Sequence, residues 1–317
     1  MPGTDRKGDR LALRALIVAA TTCVAFTSAF AQQATDSPTD ALNKKDSQVA
    51  APEPVAPLPD ERVGNMLSYS AGADFTSHFI SFGADVWGGG NEISPFSSRS
   101  TAFVYGTVTA KFTDEISGYV NLWSDNNDNV DSAIGGPLQE VDFNVGLNYT
   151  FEKFTVGVAH AYWMFGGGAE KAFEATLAYN DMDLWENTLK GFALNPSFLV
   201  HYRYDSTGDL AGENAAVLQA GIKPSFTFDV VDDYPFSVSL PINAGYFTDP
   251  YQGGEGAGMG YINAGVTVSV PLAFIPKGYG NWTAAISEVY FYTFDEDIPG
   301  NPEEDFFVTT LSIGVSF

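Results

Sequence analysis

Apolar and polar residues alternate with a period of two through most of this chain. The clearest run sets Val141, Phe143, Val145, Leu147, Tyr149 and Phe151 on one parity. Asp142, Asn144, Gly146, Asn148 and Thr150 occupy the other. Successive side chains of a strand point to opposite faces, so this run predicts a strand with one oily and one polar face. After Glu152-Lys153 the alternation resumes with Phe154, Val156 and Val158. Ile262, Ala264, Val266, Val268, Val270 and Leu272 oppose Tyr261, Asn263, Gly265, Thr267 and Ser269 in the same way. Phe236, Val238, Leu240, Ile242 and Ala244 form another such run, and the chain closes on Phe307, Thr309, Leu311, Ile313, Val315 and Phe317.

Carried along the chain, the pattern predicts about twelve strands. They fall near 66–87, 102–112, 116–124, 141–151, 154–165, 171–180, 194–205, 214–229, 236–248, 260–272, 281–294 and 306–317. The odd-numbered connections, at 88–100, 125–140, 166–170, 206–213, 250–259 and 295–305, are rich in Gly, Pro, Asn and Asp. Most even-numbered ones are tight, as at Thr113-Asp114-Glu115 and Glu152-Lys153; 181–193 and 273–280 are longer. A soluble sandwich or lipocalin-like barrel alternates too, with its oily faces inward, and periodicity does not separate inside-out from outside-in. Loops long at one end and short at the other are the habit of barrels that span a bacterial outer membrane.

The ends of the chain favour the same compartment. Arg6, Lys7, Arg10 and Arg14 lead into an apolar stretch that reaches Ala29, and Ala29-Phe30-Ala31 fits a small-x-small cleavage site. This reads as a signal peptide over 1–31. The uninterrupted apolar part is short for a helix of ~20 residues that spans a bilayer. Cys23, the single cysteine, lies inside that leader, so the mature chain is expected to hold no disulfide, thiol nucleophile or thiolate metal site. Ala- and Pro-rich sequence over 32–62 lacks any apolar period and reads as a disordered periplasmic linker. The barrel is expected over 63–317.

Composition removes one class of partner. The chain carries 39 acidic against 15 basic residues, and phosphate binding needs clustered Lys and Arg, so nucleic acid is not expected. Aromatics are abundant, with 25 Phe and 15 Tyr, and many fall near strand ends: Tyr149, Phe151, Tyr162, Trp163, Tyr202, Tyr204, Trp282, Tyr290 and Tyr292. Those are the positions of interfacial girdles.

Two resemblances sharpen this. The alternating end that closes on Phe317 resembles the C-terminal signal of Gram-negative outer-membrane barrels, which marks Phe317, Val315 and Ile313 as the element read by the barrel assembly machinery. The stretch Asp74-Phe75-Thr76-Ser77-His78-Phe79-Ile80-Ser81-Phe82-Gly83 resembles the opening strand of TorF-type porins. Val141-Asp142-Phe143-Asn144-Val145-Gly146 resembles that family's acidic-aromatic-glycine strand, and Asn195-Pro196 with the alternation ending at Asp205 is also similar. The Arg-Gly pair of that opening strand is missing; Ser81-Phe82-Gly83 stands in its place. The resemblance implies an outer-membrane barrel of unspecified solute preference rather than an enzyme, with no cofactor.

Candidate chemistry lies on the polar parity. Asp74, Lys111, Asp142, Glu174, His201, Arg203, Lys223 and Glu288 are the charged residues expected to face the lumen. They read equally as an electrostatic constriction for small solutes or as an ion-pair network that stiffens the barrel. A hydrolase is the competing class, because outer-membrane phospholipase A is also a twelve-stranded barrel with Ser, His and Asn. Here only His78, His160 and His201 could serve as a base, and Ser77 and His78 would face opposite ways on a regular strand. The run Asp125 to Asp131 suggests a calcium loop but has Val130 and Gly136 where an EF-hand needs Gly and Glu, so no metal is expected. The reading is a passive channel for small hydrophilic solutes, with some preference for cations, surrounded by outer-membrane lipid and lipopolysaccharide. A structural or adhesive barrel without a pore is the alternative.

Overall fold

The computed structural model describes residues 66–207, 214–228, 235–254, 256–294 and 297–317. The expected leader over 1–31 and linker over 32–62 lie outside them. The described chain is a closed antiparallel up-and-down barrel of 12 strands. These are β1 (Leu67–Thr76), β2 (Thr101–Lys111), β3 (Ile116–Asn126), β4 (Leu138–Phe151), β5 (Phe154–Phe165), β6 (Gly168–Tyr179) and β7 (Ser197–Thr207). Then come β8 (Ala215–Ile222, continued by Ser225–Phe228), β9 (Phe236–Ser239, continued by Ile242–Phe247), β10 (Gly258–Pro271), β11 (Asn281–Thr293) and β12 (Asp305–Ser316). Each strand pairs with its neighbours in sequence, and β12 returns to β1 through Ala73↔Ile313 and Gly72↔Gly314. Closure gives every one of these strands a partner on both sides.

Strands β8 and β9 break where proline removes a ladder donor, at Pro224 and Pro241. The carbonyls still serve: Leu240 N–H donates to Pro224 O (2.8 Å) and Gly265 N–H to Pro241 O (2.9 Å), so the wall continues across the breaks. Both described ends of the chain lie at one end of the barrel, where Phe317 N–H donates to Tyr69 O (2.9 Å). We call this the terminal end and the other the distal end. The described connecting residues at 77–100, 127–137, 166–167, 248–254 and 297–304 are distal.

The apolar parity faces outward. Val104, Val108, Leu122, Val145, Leu147, Val158, Leu177, Ile262 and Ile313 are all exposed, from strands right around the barrel. Val145 keeps 41 % of its surface. An exposed oily belt around a closed sheet is the design of a transmembrane barrel, with lipid as its solvent. No helix among the described residues is long and apolar enough to cross a membrane.

The expected first strand, 66–87, is a correction. β1 ends at Thr76, and the chain then turns into the barrel as a short hairpin, Ile80–Ser81 paired with Ala84–Asp85. Phe79 meets Phe103 of β2 and Trp123 of β3, His78 stacks on Phe306 of β12, and Phe82 reaches Trp163 of β5 and His201 of β7. Only a segment inside the lumen touches walls on all these sides. It fills the distal half with an apolar core that includes Ile80, Phe82, Val217, Phe247, Phe291, Val308 and Ile298. Trp163, expected in the girdle, belongs to this interior.

Towards the terminal end the inner face is small and polar. Asn121 donates to Thr107 Oγ1 (2.9 Å), Asn144 to Asn121 Oδ1 (3.3 Å), and Asn243 to Asn263 Oδ1 (3.0 Å). Along the inner face glycines make room for tyrosines. Tyr105 lies over Gly72, Tyr119 over Gly146 and Tyr261 over Gly245, each directly across from its glycine in the register. A Cβ at any of the three would stand within 2.5 Å of the ring.

Candidate functional site

The densest chemistry in the lumen lies where the hairpin meets β6 and β7. Glu170 and Glu174 sit two pleats apart on β6 and so share the inner face. His201 of β7 is directly opposite Glu174 in the register. Its Nδ1 is 2.9 Å from Glu174 Oε1 and its Nε2 is 2.9 Å from Glu170 Oε1. Ionised carboxylates only accept, so the arrangement is satisfied by an imidazolium donating from both nitrogens. Arg203 Nη1 donates to Glu170 Oε2 (3.4 Å) and to the carbonyl of Tyr251 (3.2 Å). Two carboxylates therefore balance two cations, which keeps these buried charges compensated.

Tyr251 ties this cluster to a distal loop. Its hydroxyl donates to Glu170 Oε1 (2.8 Å), and its ring lies under the Arg203 guanidinium at 4.3 Å. Burial, followed by the Glu170 charge, pushes the Tyr251 hydroxyl well above its ordinary 10, so it stays a donor. Phe82 closes the group from the other side, with ring centroids 4.9 Å from His201 and 5.5 Å from Tyr251. Glu174 is the member in contact with the polar half of the lumen; its side chain keeps 13 % of its surface against 3 % for Glu170.

The expected lumen residues divide. Glu174, His201 and Arg203 come together as described. Asp74 and Asp142 also face inward, but from β1 and β4 rather than from β6 and β7. Asp74 accepts from Tyr105 Oη (3.4 Å), and Asp142 lies between Trp123 and Trp163 in the register. Lys111 has the inward parity but stands at the terminal rim, half exposed and paired with Asp114 at 2.8 Å. That partner holds the Asp114 carboxyl below its ordinary range. Lys223 lies in the break of β8, six residues beyond Val217, the partner of His201, or ~20 Å along the strand. Glu288 is a correction. It pairs with Val266 on one side and Thr309 on the other, and directly paired residues share a face. Since Val266 has the lipid-facing parity, Glu288 faces outward, where it accepts from Thr309 Oγ1 (3.2 Å).

Several residues that matter here were not expected. Glu170 is assigned by the sequence to a loop, although its parity with Glu174 was a usable signal. Asp125 is likewise not part of a loop. It is buried in β3 and accepts from Trp87 Nε1 (2.9 Å) and from the Thr101 hydroxyl. Ser77 and His78, expected to face apart, are hydrogen-bonded, because regular strand geometry has ended one residue earlier. His160 takes the outward position its parity predicts and bonds the Tyr204 hydroxyl at 2.7 Å.

No family model and no curated protein sequence matches the chain. Among solved structures it is similar to a NanC porin, at 12 % identity and a TM-score of 0.39 over 79 % of this chain and 98 % of that one. It is also similar to the translocator domain of the autotransporter NalP from Neisseria meningitidis, at 11 % identity and a TM-score of 0.39 over 81 % and 90 %. The outer membrane protein OmpT of Vibrio cholerae gives 7 % identity and 0.30 over 80 % and 96 %.

Proposed function

We propose that this protein is an outer-membrane channel for passive passage of small hydrophilic solutes, with a preference for cations. The observation that carries the reading is the division of the inner face. Its terminal half is lined by Asn, Thr, Ser and Gly, and the carboxylate of Glu174 borders that polar space. Such a lining hydrates a path, and a carboxylate beside it raises the local concentration of counter-cations. In the outer membrane the terminal end faces the periplasm and the distal loops face outward, among lipopolysaccharide, after insertion by the barrel assembly machinery. The apolar belt and the long-loop asymmetry support that orientation.

A second reading has an observation of its own. The hairpin at 80–85 fills the distal lumen, as expected of a structural or adhesive barrel without a conducting pore. Conductance of the purified full chain in planar bilayers decides between them. A channel gives discrete steps, and its reversal potential in a salt gradient moves towards non-selectivity in Glu174→Gln. A barrel that stays silent at all voltages and salts supports the structural role.

A further inference from the structure

Starting from the channel reading, on which this inference rests, we propose that the hairpin at 80–85 is the channel's gate and that Phe82 is the residue that holds it shut. The hairpin turns through Phe82-Gly83, with φ of 45° and 84°. Two successive residues at positive φ are the requirement of a tight hairpin turn, and Asn-Gly is the usual solution. Phenylalanine is a poor occupant of the first position, because its Cβ crowds the backbone there. Strain of this kind persists only where the surroundings over-determine it. The surroundings here are the aromatic walls: the ring is 1 % exposed between Trp163, His201 and Tyr251. The turn is unfavourable for Phe82, and the lumen compensates for it.

The hairpin is otherwise lightly attached. Its ladder runs through Ile80↔Asp85 and Ser81↔Ala84, with Val86 N–H donating to Phe79 O (2.8 Å), and among the described residues it pairs with no strand of the wall. Side chains from two distal loops hold its backbone. Gln252 Nε2 donates to Ser81 O (2.7 Å), Asn301 Nδ2 to Gly83 O (2.9 Å), and Asp85 N–H donates to Asn301 Oδ1 (2.7 Å). On its far side the chain leaves through Gly88-Gly89-Gly90, where Gly88 and Gly90 have φ of 66° and 60° and a Cβ on Gly88 would meet nothing. This is a glycine hinge latched to the plug by side chains, since Gly90 N–H donates to Asp85 Oδ2 (3.0 Å) and Gly90 O accepts from His78 Nε2 (3.0 Å). Withdrawing it empties the space between β5, β7 and β10, and exposes Glu170, His201 and Arg203 to the path. The charged lining is thus presented to solutes only in the open state.

Single-channel recording on the refolded full chain tests this, with heat-modifiable migration on gels to confirm a folded barrel. Phe82→Asn keeps a residue suited to the turn and removes the ring. Open probability is expected to rise by roughly ten- to a hundredfold, the factor implied by losing one buried aromatic side chain. Gln252→Ala with Asn301→Ala, which leaves every aromatic in place, moves it the same way. Equal open probability in wild type and both variants overturns the gate and leaves the channel standing. Silence in all of them, and also in a chain whose residues 79–86 are replaced by a glycine linker, overturns the channel itself.

Discussion

Ser77 Oγ lies 2.7 Å from His78 Nδ1, and both side chains are fully buried. The serine donates to the imidazole while accepting from Thr309 N–H (3.0 Å), and His78 Nε2 donates to Gly90 O (3.0 Å). With Nε2–H meeting the Gly90 carbonyl and Nδ1 accepting from Ser77, the neutral ring is satisfied at both nitrogens. This chain of bonds fastens the base of the inner hairpin to β12.

That relationship sets a pH dependence. Burial pushes the His78 imidazole below its ordinary 6.5, against the opposing charges of Asp85 and Glu92. A released, hydrated hairpin therefore binds a proton between His78's lowered value and 6.5 that the packed one does not. By linkage the stabilisation of the packed state is complete above about pH 6.5 and declines as pH falls through the lowered value. Asp85, held above its ordinary 3.8 by the same burial, acts with the opposite sign. His78→Gln separates the two. Hydrogen exchange of the hairpin amides should speed up on acidification below 6.5 in wild type, and that response should be lost in the variant.

The outward belt predicts a parity rule for charge. Val145→Arg should cost ~2–4 kcal/mol near mid-membrane, because the side chain meets acyl chains. Asn144→Arg should cost clearly less, since it points into the hydrated half of the lumen. Reversible urea unfolding in lipid vesicles measures both, and equal costs would contradict the orientation of β4.

Tyr119 and Gly146 should behave as a unit. A Cβ at Gly146 would stand 2.5 Å from the Tyr119 ring. Gly146→Ala alone should destabilise by about 1–3 kcal/mol through overpacking. In a Tyr119→Ala background the same change should cost little, a coupling that a double-mutant cycle reads directly.

The charge cluster predicts a similar coupling. Arg203→Met leaves Glu170 short of a buried cation and should cost about 3–5 kcal/mol, the range for breaking a buried pair from one side. Adding Glu170→Gln should recover part of the loss. Unfolding midpoints of the two single variants and the double variant show whether the recovery occurs.

Strand identity was legible from period-two alternation, because a residue's parity is local and twelve strands repeat the same rule; that the oily parity faces outward was legible only with the loop asymmetry and the resemblance of the closing strand added. So were the inward positions of Asp142, Glu174 and His201. Glu288 was not. Apolar residues on both parities of β11, Ala284, Ile286 and Tyr290 against Val289 and Phe291, leave its face undefined until Val266 is placed opposite. The inner hairpin was not legible either. Phe79, Ile80 and Phe82 are apolar on both parities, the sign of an element buried on all sides, yet they read as an extension of β1. Pattern along one segment records whether a residue can be buried, whereas the partner that buries it comes from β5, β7 and β10, far away in sequence. By itself the sequence determined the wall, since pleat and solvent act residue by residue. What fills the wall, which charges meet inside it, and which way Glu288 points were decided only when the barrel closed and brought distant strands and loops into one lumen.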